Sequence, residues 1–257
     1  MDLFTSIILG IVEGISEFLP ISSTGHMILA SHLMGLTHTD FLKSFEIAIQ
    51  VGAISSVIFL YWRMLLVDFE VIKRIILAFI PTGVLGLTFY KLVKGYLLGS
   101  ETVVLWSLLL GGVFLVVFEL WYKEKEDATC EIRDLSYKNA VIIGLFQSIA
   151  MIPGVSRSAS TIVGGLILGL KRKTIVEFSF LLAVPTMLAA TVYDLIKTGT
   201  QMSLPQIHYL AAGFITAFIV ALLSIKFLLR FIQTHTFIPF GIYRIAFVIL
   251  WFLLLKI

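Results

Sequence analysis

The sequence predicts an all-α polytopic membrane protein with two inverted-topology repeats, each a re-entrant helical hairpin plus three transmembrane helices. The first observation is composition, because the 257 residues are 59% hydrophobic and only 14% charged, with a mean hydropathy of +1.02. Soluble domains carry about 25% charged residues. The second is the length of the apolar stretches, which approach the roughly 20 residues of a membrane-spanning helix and lack the alternation of barrel strands. The third is an internal repeat.

The repeat lies in two segments of similar character. The segment from Ile8 to Thr24 resembles the segment from Ile142 to Ser158. The alignment pairs Gly10 with Gly144, Glu13 with Gln147 and, after a slip of one residue, Pro20 with Pro153. We therefore divide a single membrane domain, 1–257, into repeat one at about 1–126 and repeat two at about 137–257, joined by a charged linker.

Each repeat begins with a segment that is broken before it can span a bilayer. Pro20 in the first segment and Pro153-Gly154 in the second leave pieces of about a dozen residues. Such pieces suit a re-entrant hairpin, which turns at mid-depth and leaves by the face it entered. Spanning helices are predicted at 45–62, 73–90 and 103–122, and at 178–196, 207–229 and 238–256. Three crossings are an odd number, so the second repeat is inverted.

The basic residues orient this path. One side receives Arg63, Lys73, Arg74, Lys123, Lys125, Arg133, Lys138, Lys171, Arg172, Lys173, Lys226 and Arg230, and the other receives Lys43, Lys91, Lys94, Lys197 and Lys256. The richer side is expected to be cytoplasmic, which places both termini outside and lets the hairpin tips meet near the midplane. A net charge of +3 is too small to predict nucleic-acid binding.

The first hairpin carries the residues most suggestive of chemistry. Glu13 and Glu17 lie four residues apart and so share a helical face. Ionisable groups at membrane depth cost roughly 2.5–3.5 kcal/mol each on insertion scales, so they indicate a functional site. A hydroxyl-rich run follows at once and ends in a histidine, with candidate side chains at Ser22, Ser23, Thr24 and His26.

The two hairpin tips together predict an anion site. Hydroxyls of residues 22–24 are expected to cap one helix, and Ser156 or Ser158 the other, so that two helix starts converge. Arg157 adds a forked positive charge suited to phosphate oxygens. Glu13 and Glu17 would repel a phosphate unless a divalent cation bridged them, and a pyrophosphate that chelates Mg²⁺ or Ca²⁺ satisfies both requirements.

Simpler interpretations remain for the same residues. Glu13 and Glu17 could form buried ion pairs with Arg157 and Arg244 that only fix the packing, and His26 could serve as a cap or packing residue. Serine and threonine often hydrogen-bond between membrane helices, and glycines four apart, such as those at 10 and 14, allow close helix packing. The single cysteine, Cys130, lies in a polar stretch and excludes an internal disulfide.

Four motifs resemble those of a known family, the undecaprenyl-pyrophosphate phosphatases of the bacitracin-resistance type. They are Glu13-Gly-Ile-Ser-Glu-Phe-Leu-Pro-Ile-Ser-Ser-Thr-Gly-His26, Pro153-Gly-Val-Ser-Arg-Ser-Ala-Ser-Thr161, Phe45-Glu-Ile-Ala-Ile-Gln-Val-Gly52 and Glu177-Phe-Ser-Phe-Leu-Leu-Ala-Val-Pro185. The resemblance covers nearly the whole chain. One departure is Ala159, where the family often has glycine, and a change so small should leave the site intact.

The resemblance implies hydrolysis of the C55 isoprenoid pyrophosphate to the monophosphate at the outer face of the bacterial inner membrane. That reaction recycles the carrier lipid of cell-wall synthesis and confers bacitracin resistance. The site residues it implies are Glu13, Glu17, Ser23, His26 and Arg157 at the core, with Ser22, Thr24 and Ser156 beside them. The converging helix starts add Ser158 to the phosphate contacts, and we assign the divalent cation to Glu13 and Glu17.

The sequence leaves several alternatives open. Ser23 or His26 could attack phosphorus, or His26 could activate water or protonate the leaving group. An inverted repeat with broken helices also fits a secondary transporter or lipid flippase. The acid phosphatase superfamily of membrane lipid phosphatases is disfavoured, because Ser156-Arg157 lacks the histidine that follows in that family. The metal preferred, the prenyl length accepted and a homodimer are left undecided.

Overall fold

The structure is a computed structural model that describes residues 1–37, 39–97, 100–125, 128–198 and 206–255. Its regular structure in these ranges is helical, apart from one isolated bridge between Thr129 and Leu170. The α-helices are α1 Leu3–Ser16, α2 Ser23–Leu33, α3 Asp40–Leu66, α4 Phe69–Leu92, α5 Glu101–Trp121, α6 Tyr137–Ser148, α7 Arg157–Ile167, α8 Arg172–Thr198, α9 Ile207–Phe231 and α10 Ile238–Leu255. The all-α prediction is confirmed.

Two pairs of short helices occupy the segments that the sequence predicts to be broken. The first pair is α1 and α2, and the second is α6 and α7. Helix α1 ends at Ser16, earlier than the end at Pro20 that the sequence suggests. The reason is steric, because the ring of a proline clashes with the carbonyl four residues earlier, and the carbonyl four residues before Pro20 belongs to Ser16.

Five helices are long and apolar enough to cross a membrane: α3, α4, α5, α8 and α9. They fall at five of the six predicted positions, so the chain is a polytopic membrane protein. The sixth prediction, at 238–256, coincides with α10, which is apolar but shorter. Large apolar side chains are exposed along the outside of these helices, among them Phe59, Leu87 and Leu110, as expected for surfaces that face lipid.

The first helix of each short pair packs on a spanning helix of the other half. Helix α1 lies against α9, and α6 lies against α4, while α3 contacts α8 and α5 contacts α10. Glycines permit the two close approaches, because a Cβ at Gly10 would lie 2.7 Å from the carbonyl oxygen of Gly213, and one at Gly144 would collide with the carbonyl of Ala78. The prediction of close helix packing at Gly10 is confirmed.

The linker between the halves docks on the start of α4. Arg133 donates to Asp68 at 2.7 Å, and buried Arg74 donates to the carbonyl of Leu135 at 2.5 Å. Cys130 is an exposed, free thiol, as predicted. These contacts fix the linker to the beginning of α4.

Candidate active site

Glu17 is the residue at which the two hairpins meet. Its Oε2 accepts a hydrogen bond from the hydroxyl of Ser23 at 2.5 Å, and its Oε1 accepts one from Nη2 of Arg157 at 2.8 Å. The Glu17 carboxylate is almost completely buried. A charge-assisted bond of this length is stronger than a neutral one. One carboxylate therefore joins a hydroxyl of the first tip to a guanidinium of the second.

The turn before α2 is strained at Ser22. Its φ of +74° is the one positive φ of a non-glycine residue among the residues described. Side chains favour negative φ, and such conformations cost on the order of 1–3 kcal/mol and collect at active sites. The Ser22 hydroxyl caps α2 by accepting from the amide of Gly25, as predicted, at a long 3.4 Å. Ser23 follows this turn as the first residue of α2, and its hydroxyl faces Glu17.

His26 lies one turn into α2 with both ring nitrogens engaged. Nδ1 contacts the carbonyl oxygen of Ser22 at 2.8 Å, and Nε2 contacts the hydroxyl of Tyr243 at 2.8 Å. A carbonyl only accepts, so in the neutral ring Nδ1 carries the hydrogen and Nε2 accepts from Tyr243. The ring is buried and lies 4.6 Å from that of Phe247, centre to centre. In this arrangement His26 presents no free nitrogen to a substrate.

The second tip turns at Gly154 and is capped by Ser156. Gly154 has a φ of +90°, and a Cβ there would lie 2.6 Å from the carbonyl oxygen of Val104, so the turn requires glycine. The hydroxyl of Ser156 accepts from the amide of Ala159. Ser158 is fully buried and donates to the carbonyl of Leu19 at 2.9 Å. Ser158, predicted to bind phosphate, thus holds the two tips together through its hydroxyl.

Arg157, the first residue of α7, is held at both ends of its fork. Nη1 donates to the carbonyl of Ser179 at 2.9 Å, opposite the Nη2 bond to Glu17. The guanidinium carbon lies 5.8 Å from the centre of the Phe18 ring. Nε is buried and has no hydrogen-bond partner in the described part of the chain. The group is therefore oriented and keeps one donor for a ligand.

Glu13 supplies the matching acceptor. It is buried one turn before Glu17, and its Oε1 has no partner among the described residues. Those residues contain no group of three or more His, Cys, Asp or Glu side chains suited to a metal. A divalent cation takes six or more oxygens, so diphosphate oxygens and water would have to complete its shell. The unpaired Glu13 oxygen fits such a cation.

Arg244 does not pair with either glutamate, which answers one of the simpler interpretations in part. It is buried and donates to the backbone carbonyls of Ser107, Leu108 and Gly154 at 2.9–3.2 Å. The ion pair between Glu17 and Arg157 is present, and the pairing suggested for Arg244 is wrong. Because Gly154 is the turn of the second tip, Arg244 fixes that tip to α5.

Gln147, the counterpart of Glu13, is surrounded by hydroxyls. Its amide nitrogen donates to Thr82 at 2.9 Å and to Thr186 at 3.0 Å, and its own oxygen is buried without a described partner. The cluster has no charge, so the second hairpin has a neutral amide where the first has the carboxylate of Glu13.

The sequence brought Glu17, Ser23 and Arg157 together correctly but missed two neighbours. Ser179 lies within a quoted motif, and its role as a support for Arg157 has no local signal. Tyr243 lies 217 positions from His26. Thr24 is exposed at the tip, and Ser156 is buried in its cap.

Comparison with known proteins assigns the chain to a family over nearly its whole length. A family described as Bacitracin resistance protein BacA matches residues 6–250. A protein of Aquifex aeolicus named undecaprenyl-diphosphatase is 55% identical over 95% of both chains. Proteins of the same name from Sulfurihydrogenibium sp. and Methanococcus aeolicus are 52% identical, over 98% of this chain and 99% of the relative, and 44% identical, over 96% of both. The chain belongs to the bacitracin resistance protein BacA family.

Proposed function

We propose that this protein hydrolyses undecaprenyl pyrophosphate to undecaprenyl phosphate and inorganic phosphate at the site around Glu17. The names of its relatives support the reaction. The observation that carries the assignment is the double hydrogen bond of Glu17, to a hydroxyl on one side and to a guanidinium on the other. Phosphoryl transfer to a nucleophile requires a hydroxyl beside a base and a positively charged group that binds phosphate, here a guanidinium.

We assign the attack to Ser23. Its hydroxyl already donates to Glu17, which can take the proton as the oxygen bonds to the terminal phosphorus. The bond from that phosphorus to the bridging oxygen breaks, and undecaprenyl phosphate leaves with the bonding electrons. Water then cleaves the phosphoserine and restores Ser23. His26 is less suited to attack, because both of its nitrogens are engaged.

Arg157 and the helix starts would hold the phosphoryl oxygens. The free Nε of Arg157 is a donor for one oxygen, and the first amides of α2 and α7 favour negative charge nearby. Such groups stabilise the charge spread over the phosphoryl group in the transition state. Exposed Thr24 offers a further hydroxyl to the substrate at the mouth of the site.

Glu13, with Glu17, would hold a divalent cation, Mg²⁺ or Ca²⁺. When bound, the cation would neutralise diphosphate charge. The unpaired oxygen of Glu13 supports this role, since a buried carboxylate oxygen without a partner is costly. The carboxylates would then repel the substrate unless the cation accompanied it.

The two halves are proposed to form an inverted repeat. The exchanged packing supports it, since α1 lies on α9 of the other half just as α6 lies on α4, and α3 lies on α9 just as α8 lies on α4. With the side that carries more lysine and arginine in the cytoplasm, the protein would lie in the bacterial inner membrane and its site would open outward. A flippase would use the same repeat, but it would have no use for the bond from Ser23 to Glu17.

Cysteine labelling tests the topology. Cysteines at Gly95 and Thr198 are expected to react with an impermeant thiol reagent from outside intact cells, whereas Cys130 is not. Labelling of Cys130 alone would reverse the orientation, and labelling of one engineered site alone would contradict the inverted repeat. Light scattering of the purified protein would decide between monomer and homodimer.

Phosphate release tests the reaction. The purified protein in detergent is expected to release phosphate from undecaprenyl and farnesyl pyrophosphate, and Ser23→Ala is expected to release almost none. Ser224→Ala is a matched control, because the Ser224 hydroxyl only donates within its own helix, to the carbonyl of Val220. Wild-type protein without activity, or an active Ser23→Ala variant, would contradict the proposal in its first or second part.

A further inference from the structure

Helix α10 touches both hairpin tips through two consecutive residues. Arg244 donates to the carbonyl of Gly154 in the second tip, and Tyr243 meets His26 of the first. Neither Arg244 nor Tyr243 takes part in the reaction proposed above, whose central groups are Glu13, Glu17, Ser23 and Arg157. The question is what the contact with His26 does.

The contact from Tyr243 continues as a line of hydrogen bonds to the strained residue. The Tyr243 hydroxyl donates to His26 Nε2 at 2.8 Å, and His26 Nδ1 donates to the carbonyl of Ser22 at 2.8 Å. Ser22 is the residue whose φ is +74°. The line ends at the peptide that precedes Ser23, so it bears on the nucleophile without touching it.

We propose that Tyr243 is a positioning residue, and that it acts through His26 to keep the Ser22 peptide in the strained conformation that aims Ser23 at Glu17. A strained backbone persists only where its surroundings enforce it. The imidazole is well suited to this, because it is buried, packed at a tilt of 31° against Phe247 with the ring centres 4.6 Å apart, and fixed in one tautomer by its two partners. His26 is then a strut between α10 and the turn, in place of an attacking group.

The position of Tyr243 explains why the strut needs a hydroxyl. Its ring is parallel to His26 within 11° but its centre lies 5.6 Å away, and 42% of the residue is exposed. Ring contact alone would let the imidazole pivot about its Ser22 bond. The hydroxyl supplies the second fixed point, so removing it while keeping the ring isolates the effect.

A double-mutant cycle tests the proposal, which rests on the proposed hydrolysis for its kinetic part. Tyr243→Phe removes the hydroxyl, and Ser22→Gly removes the strain, because glycine adopts positive φ freely and is tolerated at a helix cap. Tyr243→Phe alone is expected to lower kcat about tenfold with little change in KM, since one hydrogen bond is lost and substrate contacts remain. In the Ser22→Gly background the same change is expected to alter kcat less than twofold.

Thermal unfolding provides a readout that does not require activity. Tyr243→Phe is expected to lower Tm by about 2–4 °C in the wild-type background and by less in the Ser22→Gly background. Tyr209→Phe is a matched control, because Tyr209 also adjoins a histidine, His208, but lies at the start of α9. If wild-type protein released no phosphate, the proposed function would fail. The Tm values of the same four proteins would still test whether Tyr243 supports the Ser22 turn through His26.

Three results would overturn the proposal. A silent Tyr243→Phe variant would show that the hydroxyl does nothing. A loss that persists in full in the Ser22→Gly background would show that Tyr243 acts on His26 chemistry and not on the turn. A change in KM alone would make Tyr243 a substrate contact.

Discussion

The two hairpin tips have the same plan and different contents. Each is a short helix, a turn, and a second short helix whose cap is a serine, Ser22 in one and Ser156 in the other. The residue after the cap is Ser23 in the first tip and Arg157 in the second, and both donate to Glu17. The comparison shows one scaffold position occupied by a hydroxyl in one tip and a guanidinium in the other, which the proposed mechanism uses as the nucleophile and as the phosphate-binding group.

The two turns also differ in the residue that adopts positive φ. The second tip reaches positive φ with Gly154, where no side chain is strained, whereas the first uses Ser22. Glycine would be the easier residue at position 22. On the proposal above, keeping a serine there makes the positive φ of the first turn depend on His26 and Tyr243, whereas the second turn needs no such support for its φ.

The largest effect is expected where the tips meet. Glu17→Gln keeps the shape of the side chain but removes the base for Ser23 and the charge opposite Arg157, so kcat is expected to fall by about 10³ or more while the protein folds. The measurement is phosphate release with circular dichroism as the folding check. Glu119→Gln is a useful comparison, since Glu119 also pairs with an arginine, Arg172, away from the tips. A Glu17→Gln enzyme of wild-type rate would remove the carboxylate from the reaction.

The second tip is tested by Arg157→Lys, which keeps the charge and loses the fork. A large fall in kcat/KM is expected, about 10² or more, because a compact ammonium lacks the separate nitrogens with which Arg157 reaches Ser179, Glu17 and a phosphate in different directions. The simpler ion-pair interpretation expects Arg157→Lys to work almost normally once folded. A folded variant with near-normal turnover would therefore leave the second tip with a structural role alone.

Glu13 and Gln147 allow the comparison to be sharpened by exchange. Glu13→Gln gives both tips the same residue, and we expect a loss similar to or milder than that of Glu17→Gln, with weaker dependence on added Mg²⁺ or Ca²⁺. Wild-type activity is expected to vanish in excess EDTA and to return with the metal. Full turnover in EDTA would exclude the cation and, with it, the proposed role of Glu13.

The sequence was sufficient for whatever depends on local pattern. The proline breaks, the serine caps and the spans follow from rules that act over a few residues. Glu17 and Ser23 are also close in sequence, because they are six residues apart on either side of the connection between α1 and α2. The contacts that failed or were missed join distant helices. A glutamate partner for Arg244 was one of the simpler interpretations, because buried charges usually pair, yet two carbonyls within α5 and one in the Gly154 turn accept its hydrogen bonds. Only packing decides which of these a long side chain reaches.

The smallest effect concerns the contact that holds the tips in register. Ser158 donates to the carbonyl of Leu19 from a fully buried position, so Ser158→Ala removes the bond between the tips, leaves that carbonyl with the amide of Ile21 alone, and is expected to cost about 1 kcal/mol of stability. Ser160→Ala is the matched control two residues away, because the Ser160 hydroxyl donates within its own turn, to the carbonyl of Ser156. Activity is expected to fall only a few-fold if Ser158 aligns the tips. A fall as large as that of Arg157→Lys, with Tm unchanged, would instead show that the Ser158 hydroxyl binds phosphate, as the sequence predicts, and would give the second tip two groups in the reaction.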